Sequence, residues 1–431
     1  LSALLFGILY LEFRERILPL FLILLAVLIS FFYEETTLSH TFWDGATTMR
    51  ALISVLLIIP IVGWVLKQEQ YVRDTIILLK NQLKNSKVFY FLLMWLTQVI
   101  AFFLNFGAIA VVYQIVQSFF SKQNNEAWQR FKSTALLRGF AFTTVWVISI
   151  PSFAYGVEVM DASLIRALVQ GFTVVLVGSL LSVFFLHRYE KKNQLSFSND
   201  IRQAISEAVQ DSKDSAAKGV RNPVEFLFLF LSLLTLTLIV NSIFDIGLLT
   251  VIPIVVTVWA FLYFILKRKQ GALVKEGKVY VQKGIAPRSR EISLLFAAGL
   301  FISALTTSGL SEMLMNGLYE WTNEVPGLNF LWVLPLIVLL FGFFGLGPLT
   351  VMVLIAGIVK SIHLPYPPEV IVLALTLGSS LSVMISPLVI PVLFLSSVNG
   401  IHPVKNSVKQ NWKFALAFYF IVELYIQLRI L

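Results

Sequence analysis

Apolar runs separated by short polar loops dominate the chain, and the run from Lys87 to Lys122 has an unusual length. It is longer than the ~20 apolar residues of one bilayer crossing and shorter than the ~40 residues of two. The polar, helix-weakening tripeptide Asn105-Phe106-Gly107 lies near its middle. We therefore predict a re-entrant helical hairpin over residues 89–120, whose non-helical tip must line a cavity or be buried in protein. The alternative is one long tilted helix followed by an amphipathic segment.

Lysine and arginine are concentrated in alternate loops, which sets the predicted orientation. Residues 67–87, 121–138 and 267–290 are basic and are assigned to the cytoplasm, whereas 34–48 contains no lysine or arginine and is assigned outside. Both ends of the 89–120 hairpin then lie inside, as a hairpin requires. Arg138, at the inner end of the next span, is interpreted as an interfacial anchor rather than as a residue that attracts anions.

The second half of the chain repeats this pattern. Residues 329–359 again form an apolar run of intermediate length, with Gly342, Gly345, Gly347 and Pro348 near its middle. We predict a second hairpin here, which enters the membrane from the opposite face. Each hairpin is followed by a proline-containing span, over 139–160 and 370–395, and each of these is predicted to be a broken helix.

These elements predict an all-α polytopic membrane protein with two inverted repeats, residues 1–186 and 223–431, and about 10 spans plus two hairpins. A cytoplasmic linker, 187–222, joins the repeats and carries one short surface helix. The C-terminus is predicted to be external. Because residue 1 is leucine and residues 1–11 are apolar, the numbered chain is expected to begin within a truncated span. Inverted repeats with interrupted helices at matching positions are typical of secondary transporters, whose site lies near the membrane midplane.

Composition supports this class and excludes others. Of 431 residues, 58% are hydrophobic and 13% are charged, whereas soluble domains have about 25% charged residues. The net charge of +9 resides in the loops, so it does not indicate nucleic-acid binding. The absence of cysteine and the wide separation of the four histidines argue against a metal site. No catalytic set of side chains can be assembled, so the chain is not predicted to be an enzyme.

The candidate substrate- and ion-binding residues are the polar and small residues at the hairpin tips and helix breaks. Broken half-helices direct N–H groups at anions and carbonyl groups at cations, and glycine permits close approach of backbone to a ligand. The candidates are Asn105, Gly107, Ser149, Ser152, Gly345, Gly347, Thr350, Ser379, Ser380 and Ser382. The alternative for each is a structural role in a buried turn or in hydrogen bonding between helices. No Asp or Glu lies clearly within a predicted span, so proton coupling has no obvious residue.

Two stretches, together with this architecture, resemble the ion transporter superfamily, which includes the divalent anion/sodium symporters and the arsenite-permease-like proteins. Leu294–Met313, LLFAAGLFISALTTSGLSEM, is similar to the glycine-bearing span before the second hairpin of that family. Phe103–Gln114, FLNFGAIAVVYQ, lies where the symporters carry a Ser-Asn-Thr triplet, of which only Asn105 is present. The second tip, GLGPLT, has no such triplet. The resemblance implies elevator-type motion and a homodimer, while the missing triplets argue against sodium coupling and against a dicarboxylate substrate.

The sequence therefore predicts a secondary active transporter that moves a small anionic solute across the cytoplasmic membrane. Its expected partners are membrane lipids, the small-molecule or ion substrate and a second copy of the chain, but not nucleic acid. No cofactor is predicted, and a coupling cation, Na⁺ or H⁺, is compatible with this function. The alternative is a non-transporting membrane subunit, or a protein that handles a lipid-linked substrate, built on the same fold.

Overall fold

The computed structural model describes residues 11–33, 38–69, 71–78, 85–120, 125–210 and 221–430. The truncated span predicted at residues 1–11 lies, apart from Leu11, outside this described part, as do residues 211–220 of the predicted linker. The α-helices of the described part are α1 (Phe13–Phe32), α2 (Leu38–Thr48), α3 (Arg50–Ile58), α4 (Pro60–Leu66), α5 (Tyr71–Leu78), α6 (Ser86–Leu104), α7 (Gly107–Phe119), α8 (Glu126–Trp146), α9 (Pro151–Val159), α10 (Leu164–Lys192), α11 (Phe197–Gln210), α12 (Arg221–Phe244), α13 (Leu248–Leu266), α14 (Gln270–Val279), α15 (Ser289–Thr307), α16 (Leu310–Glu324), α17 (Phe330–Phe343), α18 (Pro348–Val359), α19 (Pro368–Ile385), α20 (Ile390–Asn399) and α21 (Gln410–Ile430).

Nine segments within these ranges are helical, long and apolar enough to cross a membrane, and α7, α17 and α18 are shorter apolar helices. Helices suit this environment because each one satisfies its own backbone hydrogen bonds. On α10 the exposed apolar side chains follow helical spacing, at Ile165, Val169, Phe172, Leu176 and Leu180, and so form a stripe suited to lipid. The prediction of an all-α polytopic membrane protein is confirmed.

Two pairs of helices turn back on themselves where the sequence predicts hairpins. The first hairpin consists of α6 and α7, with Asn105 and Phe106 between the two helices. The second hairpin consists of α17 and α18, with residues 344–347 between them. Each tip contains one residue with positive φ, Asn105 at 49° and Gly345 at 78°. A positive φ is strained for residues other than glycine. In the first tip it occurs at Asn105 and not at Gly107.

Two longer helices are interrupted by four-residue breaks. The first broken helix consists of α8 and α9, separated by Val147–Ile150, and the second consists of α19 and α20, separated by Ser386–Val389. Pro151 occupies the first position of α9, where a missing N–H costs nothing. The second half of each broken helix packs against the hairpin from the other half of the chain, α9 against α18 and α20 against α7.

Each broken helix also crosses the first arm of its own hairpin at a glycine. A methyl group built on Gly139 of α8 would lie 2.7 Å from the Met94 carbonyl oxygen of α6. A methyl group built on Gly378 of α19 would lie 2.5 Å from the Pro335 carbonyl oxygen of α17. Both glycines precede the first residue of their break by the same number of positions, so the two hairpin–helix crossings are built alike.

Several elements differ from their predicted boundaries, among them α8, which begins at Glu126 within the predicted loop 121–138. Residues 34–48 are predicted to be an external loop, yet α2 covers Leu38–Thr48 and approaches α3 directly. This helix packs on α15 through Gly45 and Gly299, whose backbones are in contact. The stretch Leu294–Met313, which resembles a single glycine-bearing span, is divided into α15 and α16 at Ser308 and Gly309, where Gly309 has a φ of 72°.

Arg138 and Glu423 are among the charged residues that are buried contrary to the sequence interpretation. Arg138 is not an interfacial anchor, because its side chain is 4% exposed and lies among α6, α8, α10 and α21. Glu423 lies within α21, in the last predicted span, 414–431, and is fully buried. The prediction that no Asp or Glu lies clearly within a span is therefore wrong. The Glu423 side chain is 3.5 Å from the Gln427 amide nitrogen, and its other oxygen has no hydrogen-bond partner within the described residues.

The helix predicted within the linker is α11, and it is docked rather than free. Phe197 packs edge-on against Trp128 of α8, with ring centroids 4.9 Å apart. The Trp128 indole N–H donates to the Asp200 carboxylate at 2.8 Å. The start of the first broken helix is thus fixed to the segment that follows α10.

Candidate functional site

A cavity of about 520 Å³ opens at the tip of the first hairpin. Its walls come from the tip residues Leu104–Gly107, from α3 and α4, from the first residue of α9, from α20, and from the segment between α13 and α15. The tip is fixed by contacts on two sides. Phe106 packs on Phe140 of α8 with ring centroids 5.6 Å apart, and Leu104 fits closely over Gly63 of α4.

Three helices begin at this cavity. Gly107 is the first residue of α7, Pro151 the first of α9 and Ile390 the first of α20, and all three line the cavity. A helix N-terminus carries about +0.5 elementary charge and presents N–H groups that have no partner in the helix. Three such ends around one cavity make it suited to an anion.

Charged side chains from the end of α4, from α14, from the turns that follow it and from α15 also line the cavity. Lys67, at the end of α4, forms an ion pair with Glu276 of α14 at 2.8 Å. Lys283 and Arg288 line the same cavity, as does Glu291 at the start of α15, close enough to Arg288 for their charges to interact. The lining therefore contains three cations and two carboxylates, and it has an excess of positive charge.

Tyr280 holds the charged segment against α3 and α4. Its hydroxyl donates to the Leu57 carbonyl oxygen at 2.7 Å, and its ring meets the Trp64 ring edge-on with centroids 5.6 Å apart. Burial raises the pKa of the Tyr280 hydroxyl, and the nearby Arg288 charge offsets part of that rise. The phenol therefore stays neutral at physiological pH and keeps its donor proton.

The structure brings only part of the predicted site together. Asn105 and Gly107 line the cavity. Ser152 follows Pro151 in the first turn of α9, and its buried hydroxyl has no partner within the described residues. Gly345, Gly347, Thr350, Ser379, Ser380 and Ser382 are not among the residues that line this cavity.

The three serines of α19 are nevertheless unusual. Ser379, Ser380 and Ser382 are at most 1% exposed, and none of their hydroxyl groups has a hydrogen-bond partner within the described residues. Serine in a membrane helix usually bonds to a backbone carbonyl one turn earlier or to a neighbouring helix. Ser382 instead lies directly over Gly342 in α17, which leaves no space there for a side chain.

Two other serines connect each break to its hairpin. The Ser149 hydroxyl donates to the Phe102 carbonyl oxygen at 2.6 Å, and the Ser386 hydroxyl donates to the Gly342 carbonyl oxygen at 2.8 Å. Each acceptor lies in the last turn of the first hairpin arm, where helix carbonyls begin to lose their intrahelical partners. The role of Ser149 is therefore to hold a break against a hairpin tip, and Ser386 does the same in the second half.

Ser149→Ala and Ser386→Ala should each lower the free energy of unfolding by about 0.5–1.5 kcal/mol, the net contribution of one hydrogen bond. Thermal melting of the detergent-purified variants measures this loss. Ser397→Ala is the matched control, because its exposed hydroxyl bonds only to the Phe394 carbonyl in its own helix. Equal melting temperatures for all three variants would contradict the proposed contacts.

Lys283 and Arg288 are among the cavity residues that the sequence interpretation missed. The run of basic residues over 267–290 predicts only a cytoplasmic loop, since charge runs are usually solvated. Tyr280, placed among these basic residues, was the available signal that part of the segment packs against protein. No group of three or more His, Asp or Glu side chains that could hold a metal ion occurs in the described part of the chain.

Comparison with known proteins identifies the family. Residues 132–430, more than two thirds of the chain, match the family DcuC, described as C4-dicarboxylate anaerobic carrier. The match begins at Lys132, within α8, and therefore includes most of the first broken helix, all of the second broken helix and the whole second hairpin. The first hairpin precedes the matched region. No curated protein matches the chain. The chain is therefore a multi-pass membrane protein that belongs to the DcuC family of C4-dicarboxylate anaerobic carriers.

Proposed function

We propose that the protein carries C4-dicarboxylates across the cytoplasmic membrane, and that the cavity at the first hairpin tip is its substrate site. The observation that carries this proposal is the convergence of three helix N-termini on one cavity. Each end contributes about half a positive charge without a side chain that must be desolvated. A dicarboxylate is a dianion, so it gains from every one of these ends.

The size and lining of the cavity support the same substrate class. Its volume of about 520 Å³ lies within the range of about 300–1,000 Å³ that is typical of small-molecule sites. Apolar side chains such as Leu56, Ile59 and Phe394 line the cavity together with the polar groups. A C4-dicarboxylate has charged ends and a short hydrocarbon middle, and this lining offers contacts for both.

We further propose that transport occurs by elevator-type alternating access. The two hairpins and two broken helices pack crosswise, α9 on α18 and α20 on α7, so they are suited to move as one unit. This unit meets α13 at Glu158, whose carboxylate accepts a hydrogen bond from the Leu249 N–H at 2.6 Å. In such a motion this contact breaks. A coupling cation, Na⁺ or H⁺, is part of the proposal without an assigned site.

Purified protein in liposomes preloaded with succinate should accumulate labelled succinate from outside by exchange, whereas butyrate-loaded liposomes should not. Asn105→Asp should raise the succinate concentration for half-maximal exchange tenfold or more. It preserves the shape of the tip residue but places a negative charge in an anion site, at a cost of at least about 1.4 kcal/mol.

Asn85→Asp is the control for this substitution. Asn85 is exposed and accepts a hydrogen bond from the Lys87 N–H at the start of α6, a role that Asp fills equally well. This variant should exchange succinate like the unmodified protein. Absence of succinate exchange by the unmodified protein would overturn the proposed function, and unchanged exchange by Asn105→Asp would overturn the proposed site.

A further inference from the structure

The segment between α13 and α15 forms one wall of the cavity that the hairpin tip also lines. It consists of α14, a π-helical turn at Tyr280–Gly284 and a 3₁₀ turn at Ala286–Arg288. Its contacts to α3 and α4 are the Tyr280 hydrogen bond to Leu57, the Tyr280–Trp64 ring contact and the Lys67–Glu276 ion pair. Because these contacts join it to α3 and α4, the segment belongs with them and not with the hairpin.

The charges on this wall are only partly neutralised. Lys67 is paired with Glu276 at 2.8 Å, whereas Lys283 and Arg288 form no ion pair within 4 Å of a carboxylate in the described ranges. Glu291 is the remaining carboxylate of the lining, and it interacts electrostatically with Arg288 without forming an ion pair within the described residues. One cation in this group therefore has no carboxylate to balance it.

Arg288 is held in place without using most of its donors. One guanidinium nitrogen donates to the Gly284 carbonyl oxygen, and the guanidinium carbon lies 5.3 Å from the centre of the Tyr280 ring. A guanidinium has five N–H donors in a planar fork, which matches the two oxygens of a carboxylate. The exposed Lys283 adds a mobile ammonium to the same wall.

We propose that Lys283 and Arg288 bind the second carboxylate of the substrate, so that the segment between α13 and α15 selects dicarboxylates over monocarboxylates. The inference rests on the proposed function, in which the three helix N-termini bind the first carboxylate. A monocarboxylate bound at the helix N-termini leaves these two cations without a partner. A dicarboxylate neutralises both sets of positive charge, and its second charge-assisted contact provides the discrimination.

The test measures selectivity rather than activity alone. Succinate and butyrate compete against labelled succinate in the liposome exchange assay, for the unmodified protein and for Lys283→Gln, Arg288→Gln and the double variant. The ratio of the two inhibition constants should move at least tenfold toward butyrate in the double variant, with the butyrate constant itself nearly unchanged. Lys278→Gln is the matched control, because Lys278 is exposed on α14 and does not line the cavity.

The outcomes separate this inference from the proposed function. Succinate exchange with an unaltered selectivity ratio in Lys283→Gln and in the double variant overturns the inference and leaves the proposed function standing. Equal weakening of succinate and butyrate also overturns it, since that result indicates general attraction of anions. If Arg288→Gln has a lower melting temperature than the unmodified protein, its selectivity is not used and Lys283→Gln provides the test. The Lys283 side chain makes no hydrogen bond within the described residues, so its replacement should not lower stability. If the unmodified protein does not exchange succinate, both this inference and the proposed function are overturned.

Discussion

An alanine at Gly378 should cost the protein about 1–3 kcal/mol of stability, the usual cost of overpacking, or more. The added methyl group would lie 2.5 Å from the Pro335 carbonyl oxygen, 2.8 Å from its α-carbon and 2.6 Å from the Val338 β-carbon. Two of these atoms are backbone, so no side-chain rotation relieves the clash. The helices α17 and α19 must separate, which loosens the second hairpin. Melting of the purified variant in detergent measures the effect.

Gly139→Ala should behave in the same way at the equivalent crossing of α6 and α8. Its methyl group would lie 2.7 Å from the carbonyl oxygen and 2.9 Å from the α-carbon of Met94. Gly271→Ala is the control, because nothing lies within 4 Å of the added methyl group in α14. Alanine there should be neutral or stabilise the helix by up to about 1 kcal/mol. If Gly378→Ala and Gly139→Ala melt like Gly271→Ala, the close helix crossings are not as described.

Arg138→Ala should lower the free energy of unfolding by about 2–5 kcal/mol, as other large-to-small changes in a packed interior do. The guanidinium donates to Asn411 at 2.9 Å and to Ser182 at 2.9 Å, and it lies 4.1 Å from the centre of the Phe414 ring. Its removal leaves a cavity and deprives buried oxygens of their donor.

Two further variants define the origin of this effect. Arg138→Lys should be intermediate, since an ammonium keeps the charge but lacks the planar fork and its stacking. Arg188→Ala should melt like the unmodified protein, because Arg188 is exposed and its ring contact with Phe184 lies at the surface. A melting temperature of Arg138→Ala equal to that of Arg188→Ala would contradict a stabilising role for the buried guanidinium.

Local features of the sequence were sufficient to predict the interruptions in the helices. Asn105 stands out because it is polar within a long apolar run, and α6 ends beside it. Pro151 cannot continue a helix from the preceding turn, and α9 begins at this residue. These interruptions follow from the backbone preferences of single residues, so they can be predicted without knowledge of the tertiary structure.

Features that depend on distant contacts were not predictable. The helix α2 is stabilised against α15 through Gly45 and Gly299, which lie far apart in the sequence. Arg138 resembles an interfacial anchor until Asn411 is placed beside it. The arrival of Lys283 and Arg288 at the first hairpin tip depends on how the segment after α13 folds back over α3 and α4.

The expected chemistry of the substrate was the weakest part of the sequence interpretation. The missing Ser-Asn-Thr triplets argue against a dicarboxylate substrate, yet the chain belongs to a family of C4-dicarboxylate carriers. Helix N-termini offer a physical reason why such triplets are dispensable. The dipoles at the N-termini of α7, α9 and α20 provide positive potential that no side-chain motif records.

The burial of α8 has a consequence for the order in which the protein is assembled. Every residue from Phe131 to Trp146 is buried, and α19 from the second half of the chain covers part of this surface. During synthesis α8 is made long before α19, and also long before Asn411, which accepts a hydrogen bond from Arg138 of α8. The helix therefore reaches its final surroundings only after the last spans have been inserted. The N-terminal half made alone would leave this polar helix without its partners, so the two halves form one assembly unit.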